Sequence, residues 1–377
     1  MPIADLIRPE IAGLEPYTPI LPLDVLAARL GLPVERLVKL DANENPYGPS
    51  PKTAQALADL ATVDGPLGRL SIAIYPDPNQ TRLRAALSGY TGQSAGRILC
   101  GAGADELIDL VLRLFIAPGD AVIDCPPTFG MYKFDTGVNG GRLITVPRRA
   151  DFSLDVLAIE AAAAVNRAKV LFLTSPNNPS GNLTPLAEIE RLLRLPLMVV
   201  VDEAYIEFAA QGGAASVVDW VSKYENLVVL RTFSKWAGLA GMRVGYGIFP
   251  EWMLAQLWKI KQPYNISLGA ETAAIAALAD CDYLLANVAR IVAERERLLA
   301  RLSEIPFLAP HPSHANFILC RVTRGDAREI KQALERIGVL VRYYNTPLLC
   351  DYIRISVGTA EQTDAVIAAL AQAGGDS

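Results

Sequence analysis

Histidine is almost missing from these 377 residues: there are two, His311 and His314, in one short stretch, too few to build a metal site, and both read as structural. The five cysteines, Cys100, Cys125, Cys281, Cys320 and Cys350, lie far apart and show no paired metal spacing. They are expected to be reduced and mostly buried, in a cytoplasmic protein that holds no metal. No apolar run reaches about 18 residues and no basic-then-apolar leader begins the chain, so neither membrane spanning nor secretion is expected. Excess positive charge is also lacking. Thirty-five Lys and Arg against 40 Asp and Glu leave a net charge of −5, which argues against a general nucleic-acid binder. There is no internal repeat, low-complexity tract or charge block.

A chain of this length buries about three quarters of its unfolded surface and exceeds the usual size of a single core, so two domains are expected. Apolar strand runs alternate with helical patterns from about residue 52 to 270, the signature of an α/β protein with a mostly parallel sheet covered by helices. Strands are predicted at 98–100, 121–125, 143–146, 170–174, 197–201, 227–230 and 244–248. A long helical stretch follows over about 270–302, then a strand at 316–321, a helix near 327–337 and a strand carrying Arg354. The expected division is a large domain over 51–270 and a smaller α/β domain made of 1–50, an N-terminal arm included, with 271–377.

The chemistry-bearing residues fall at the ends of these strands. Asp202 ends the apolar run Val200-Val201, Tyr205 lies three residues on, and Arg231-Thr232-Phe233-Ser234-Lys235 ends the next strand, with Arg243 beyond it. Lysine can form a Schiff base with an aldehyde, and a buried aspartate can keep a pyridine nitrogen protonated as an electron sink. Tyr205 can reach the phenolic oxygen of the same ring. Thr232, Ser234 and Arg243 offer hydroxyl and guanidinium donors to a phosphate. Taken singly, Asp202 reads as a helix cap and Lys235 as a solvated surface charge. Their joint order, each at a strand end, points to pyridoxal 5'-phosphate.

Two further segments add to this. Asn178, in Ser175-Pro176-Asn177-Asn178-Pro179-Ser180-Gly181, sits among turn dipeptides after a strand, where an exposed amide is expected. Gly101-Ala102-Gly103-Ala104 enters an amphipathic helix, whose free N–H groups and dipole suit a phosphate. A dinucleotide fingerprint would need a third glycine where this chain has Glu106, which counts against a dehydrogenase.

With its Asn-Pro-Ser-Gly loop the chain resembles the fold-type I aminotransferases, and the resemblance narrows to the histidinol-phosphate aminotransferases, of the class II branch. It rests on Asp41-Ala42-Asn43-Glu44-Asn45-Pro46-Tyr47-Gly48, Tyr75-Pro76-Asp77-Pro78, Pro127-Thr128-Phe129-Gly130-Met131-Tyr132, His314-Ala315-Asn316-Phe317 and Ile353-Arg354-Ile355-Ser356. It runs from about residue 14 to 360. The resemblance implies a homodimer with shared active sites, acting on small-molecule substrates. Lys235, Asp202 and Tyr205 would be catalytic, Asn178 would contact the phenolic oxygen, and Ala102, Gly103 and Ala104 would cradle the phosphate. Phe129 would stack on the ring, and Tyr75 would reach the phosphate in the neighbouring subunit. Arg354 would bind the acidic end of the substrate, with Arg342 as a possible second cation and Tyr17 and Asn43 approaching the substrate. The implied reaction exchanges an amino group between histidinol phosphate and 2-oxoglutarate, in histidine biosynthesis. An aromatic amino acid aminotransferase or a threonine-phosphate decarboxylase could use the same scaffold. Phe129 stands where many relatives carry tyrosine, and Trp236 where a smaller residue is common.

Overall fold

The structure is a computed structural model; it describes residues 2–16, 21–60, 62 and 72–373. The strands are, in chain order, β1 (Val38–Leu40), β2 (Ile98–Gly101), β3 (Ala121–Asp124), β4 (Arg142–Thr145), β5 (Val170–Thr174), β6 (Met198–Asp202), β7 (Leu227–Thr232), β8 (Gly245–Ile248), β9 (Leu308–Pro310), β10 (Phe317–Val322), β11 (Val339–Tyr343) and β12 (Tyr352–Ser356). The seven from β2 to β8 form one sheet in the order β2-β8-β7-β6-β5-β3-β4. Only β8 runs against its neighbours. Pairing of β3 with β4 and β5, of β5 with β6, and of β6 with β7 is parallel.

Apart from the edge strand β4, whose Arg142 and Thr145 are exposed, these strands are buried along their whole length because helices cover both faces. Along β6, Val199 and Val201 enter one apolar core while Met198 and Val200 enter the other. The helices Ala104–Phe115 and Glu251–Ile260 pack on the second face, through Leu107, Val111, Met253 and Leu257. Ile159, Ile189 and Ala273 bring three other helices to the first. Parallel register then aligns the carboxyl ends: Thr174 of β5 pairs with Asp202 of β6, and Asp202 with Leu230 of β7. The loops that leave these ends carry Asn178, Tyr205 and Lys235.

A second sheet has the order β1-β11-β12-β10-β9, with β1 parallel to β11 and the other pairs antiparallel. The helices Ala327–Arg336 and Ala360–Ala373 cover it. Leu40, Ile353 and Ile355 from this sheet join the same apolar core as Leu171 and Val229 of the large one.

The predicted strands of the large sheet are all present, each end within two residues of its expected place. The long helix is not continuous. It is two helices, Leu268–Leu278 and Cys281–Ser303, broken where Asp280 leaves helical geometry (φ −125°, ψ 32°). The Asp280 carboxylate meets Lys52 at 2.8 Å, and aspartate competes poorly for helix interiors. Of the cysteines, Cys100, Cys125 and Cys320 are buried, Cys281 is partly covered and Cys350 is exposed, all unbridged.

Candidate active site

A cleft of about 1140 Å³ lies between the carboxyl edge of the large sheet and one face of the small sheet, with walls from both. Its floor is Asp202, 4% exposed. The Asp202 Oδ2 accepts from the Tyr132 hydroxyl at 2.6 Å and Oδ1 from the Ala204 N–H at 3.0 Å, and no cation pairs with it among the described residues. Burial pushes its carboxyl up to about 6, against the lowering effect of those two bonds. Tyr132 is in turn held by Thr174 (2.8 Å) and stacks on Phe172 with ring centroids 4.6 Å apart, while Thr174 reaches Thr128 at 3.2 Å. Phe129 stands edge-on to Tyr132 and forms part of the cleft wall.

One end of the cleft offers donors for an anion. The first N–H groups of the helix Ala104–Phe115 have no partner within the helix, and Gly103 precedes it at φ 81°. Glycine suits that backbone, which side-chain-bearing residues rarely adopt, and a Cβ would also push on the guanidinium of Arg243, 2.5 Å away at Nη2. At Ala102 the arrangement differs from expectation, since its N–H donates to the Glu106 carboxylate at 2.6 Å, as a first-turn acid does in a capping box. That leaves the Gly103 and Ala104 end of the turn for a phosphate. Thr232 and Ser234 face the same space, their hydroxyls 3.0 Å apart. Arg243 pairs with Asp105 at 2.9 Å, but both are half exposed, and such a pair yields readily to a stronger anion.

Lys235 follows β7, and its Nζ donates to the Ala42 carbonyl at 3.2 Å. Burial holds this ammonium down at about 8, helped by the Arg354 and Arg243 guanidinium groups. Tyr205 precedes the short helix Ile206–Ala210; its hydroxyl accepts from Asn43 Nδ2 at 3.1 Å, and burial pushes it up to about 12. Arg354 projects from β12 and is 5% exposed. It donates to Asn178 Oδ1 at 2.7 Å and to the Asp41 carbonyl at 2.8 Å, and its Nε has no acceptor. The acceptors are an amide and a carbonyl; Asp351, its near neighbour in sequence, forms no ion pair with it among the described residues. Arg342 lies directly across from it in the β11–β12 register and also lines the cleft.

Two candidates stand elsewhere. Tyr75 is 78% exposed and stacks on Tyr264 at 4.5 Å, outside the cleft wall of its own chain. Tyr17 lies outside the described residues. Sequence reasoning gave no role to Tyr132, Thr174, Asp105 or Glu106. Tyr132 had one signal, a hydroxyl one helical turn past Phe129; Thr174 had its strand-end register beside Asp202.

Pyridoxal 5'-phosphate fits what lines this one cleft: a buried carboxylate with no cation among the described residues, a lysine with a depressed pKa, and a helix start flanked by hydroxyls and a guanidinium. A mostly parallel seven-stranded sheet with these groups at its carboxyl edge defines the class, a fold-type I pyridoxal-phosphate-dependent transferase. Comparisons narrow it. The family described as aminotransferase class I and II matches residues 35–370. A histidinol-phosphate aminotransferase of Roseiflexus castenholzii is 57% identical over 370 residues, 97% of each chain. A chloroplastic one of Nicotiana tabacum is 51% identical over 97% of this chain and 86% of its own. The crystal structure of histidinol-phosphate aminotransferase from Sinorhizobium meliloti in complex with pyridoxal-5'-phosphate superposes with a TM-score of 0.86 at 30% identity, covering 97% of this chain and 96% of that one. The chain belongs to the class I and II aminotransferases, among the histidinol-phosphate aminotransferases.

Proposed function

We propose that this protein exchanges an amino group between histidinol phosphate and 2-oxoglutarate, the transamination of histidine biosynthesis, in two half-reactions through one site. The observation that carries the reading is Arg354, a buried guanidinium with an orphaned Nε and no carboxylate partner among the described residues, facing Arg342 across paired strands. Like charges directly opposite one another are unfavourable on their own; both guanidinium groups lie over the Tyr344 ring, and an anion between them would join them, guanidinium forks suiting a phosphate. Arg354 can hold the phosphate of one substrate and a carboxylate of the other.

When bound, the cofactor supplies an aldehyde that captures amines and a ring that takes up negative charge. Lys235, unprotonated to a useful extent near neutrality because its pKa is lowered, anchors it. Freed by the substrate amine, Lys235 would take the proton from the substrate Cα and hand it to the former aldehyde carbon of the cofactor. Asp202 would hold the ring-nitrogen proton, and that cation opposite it would favour the ionised carboxylate that burial alone disfavours. Tyr205 and the Asn178 amide would address the phenolic oxygen, Phe129 would cover the ring, and Thr232, Ser234, Arg243, Gly103 and Ala104 would hold the phosphate. Two dissimilar substrates sharing one lysine give ping-pong kinetics.

The reading includes a homodimer with shared sites, in which Tyr75 serves the partner's cofactor. Ile72, Ile74 and Tyr75 are all exposed, an apolar group that a second subunit would cover. It also includes the division into a cofactor half, 51–270, and a half made of 1–50 and 271–377, and a cytoplasmic location; no helix among the described residues is long and apolar enough to cross a membrane. A panel of amino donors with 2-oxoglutarate is the test. Histidinol phosphate should be preferred over phenylalanine and histidinol. A preference for phenylalanine, or release of carbon dioxide from threonine phosphate, would replace this reading.

A further inference from the structure

Five consecutive residues, Asp41 to Asn45, each bond to a different part of the site. The Asp41 carbonyl accepts from Arg354 at 2.8 Å and the Ala42 carbonyl from Lys235 at 3.2 Å. Asn43 donates to Tyr205 at 3.1 Å, Glu44 pairs with Lys39, and Asn45 donates to the Trp236 carbonyl at 2.9 Å, next to Lys235. The centre of this strap is Asn43, 1% exposed and at φ 55°, a left-handed conformation in which asparagine is tolerated better than most residues.

Each polar function of Asn43 has a partner. Its N–H donates to Ser356 Oγ at 2.9 Å, and Ser356 Oγ donates back to Oδ1 at 2.8 Å. Its carbonyl accepts from Asn316 Nδ2 at 3.0 Å, and its Nδ2 donates to the Tyr205 oxygen. Ser356 lies on β12, two residues from Arg354 and on the same side of that strand. With the Ser356 hydroxyl donating to Oδ1, the amide end that faces Tyr205 is a donor, so the phenol oxygen is an acceptor there. Its own proton is then free to point into the cleft.

We propose that Asn43 is a positioning residue that fixes Tyr205 as a proton donor to the cofactor's phenolic oxygen and ties that setting, through Ser356, to the strand that carries Arg354. Arg354 and Tyr205 belong to different sheets, and Asn43 is where they are held in one register. This rests on the cofactor reading above.

The test uses the holoenzyme and reads the pH midpoint of the bound cofactor's absorbance change, not turnover. A hydrogen bond donated to the phenolic oxygen stabilises its deprotonated form and lowers the midpoint; losing it raises the midpoint. Asn43→Gly keeps the left-handed backbone and removes the amide, and should raise the midpoint by about 0.5–1 unit, the worth of one hydrogen bond. Tyr205→Phe should raise it at least as much, and the double variant should not exceed Tyr205→Phe alone. Asn43→Asp, which offers Tyr205 an acceptor and draws its proton away, should also raise it. An unchanged midpoint in Asn43→Gly, or additive shifts in the double variant, overturns the inference while leaving the cofactor assignment standing. If Asn43→Gly does not fold, Ser356→Ala frees the same amide; it should give a smaller rise that vanishes in the Tyr205→Phe background, and a rise that persists there overturns the inference. A wild-type cofactor band that does not change with pH overturns the inference alone; the absence of any cofactor band overturns the cofactor reading with it.

Discussion

The two walls of the cleft are built in different ways. On the large-sheet side, functional groups are set by strand ends and the few residues after them: Ser234 is held by Thr232, Asp202 by Ala204, and the Gly103 turn by Glu106 of its own helix. On the small-sheet side, Arg354 and Asn43 are held by residues far away in sequence. Arg354 takes its carbonyl partner from Asp41 and its amide partner from Asn178, and Asn43 depends on Ser356. In the proposed reading the large-sheet wall is the cofactor bed, and the small-sheet wall is a recognition surface whose geometry depends on contacts between distant segments. Substitutions on the first should stop chemistry for every substrate. Substitutions on the second should discriminate between substrates.

The sharpest break is expected at Lys235. Lys235→Ala removes covalent attachment and the general base together, and loss of the base alone costs about 10²–10⁴ in rate. All donors should fail equally, and borohydride reduction of the wild type followed by peptide mapping should label Lys235. A label on a different lysine would remove it from the cofactor bed.

Next comes Asp202. Breaking a buried charge pair costs about 3–5 kcal/mol, so Asp202→Asn should slow Cα deprotonation steeply in single-turnover experiments while substrate affinity changes little. Tyr132→Phe removes one donor to the same carboxylate, and a hydrogen bond to a charged group is worth about 1.5–3 kcal/mol, so its effect should be the same in kind and smaller. Unchanged deprotonation in Asp202→Asn would refute the electron-sink role.

The same contrast explains what could be read from the sequence. Asp202, Lys235, Arg243 and the Gly103 turn were legible because a strand end and its following loop are adjacent in sequence, and spacing encodes geometry there. The large-sheet strands were legible for the same reason, being apolar runs buried on both faces. The small sheet was harder. β1 and β9 have three residues each, too few to show a period, and β9 ends in Pro310. The strap from Asp41 to Asn45 was visible only as a motif; that its carbonyls meet Lys235 and Arg354 depends on contacts no local pattern contains. The break at Asp280 was masked because the sequence is helix-like on both sides of it.

On the recognition wall, Arg354→Ala should lower kcat/KM for histidinol phosphate and for glutamate by about tenfold to a hundredfold, since charge-assisted hydrogen bonds are worth roughly 1.5–3 kcal/mol each. Histidinol, which lacks the phosphate, should lose much less. Arg354→Lys keeps the charge without the fork and should fall between. Equal losses for histidinol and its phosphate would mean that Arg354 acts through structure, and the two walls would not differ in kind.

The smallest effect should be seen where the walls meet. Lys235, from the large-sheet side, is held at about 8 first by burial and then by Arg354 from the small-sheet side. Burial disfavours the charged ammonium, and so does a neighbouring cation; both lower the pKa. Removing Arg354 should therefore raise the Lys235 midpoint, but only by a fraction of a unit, because the apolar surroundings stay. In the cofactor-free protein the pH profile of amine-reagent modification at Lys235, followed by peptide mapping, gives this midpoint directly. The wild type should titrate near 8. Arg354→Ala should titrate slightly higher and still well below about 10.4, the ordinary value for lysine. A return to that ordinary value would make charge across the cleft, not burial beneath it, the source of the lysine's reactivity. The cofactor bed would then depend on the recognition wall for its chemistry as well as for its substrate.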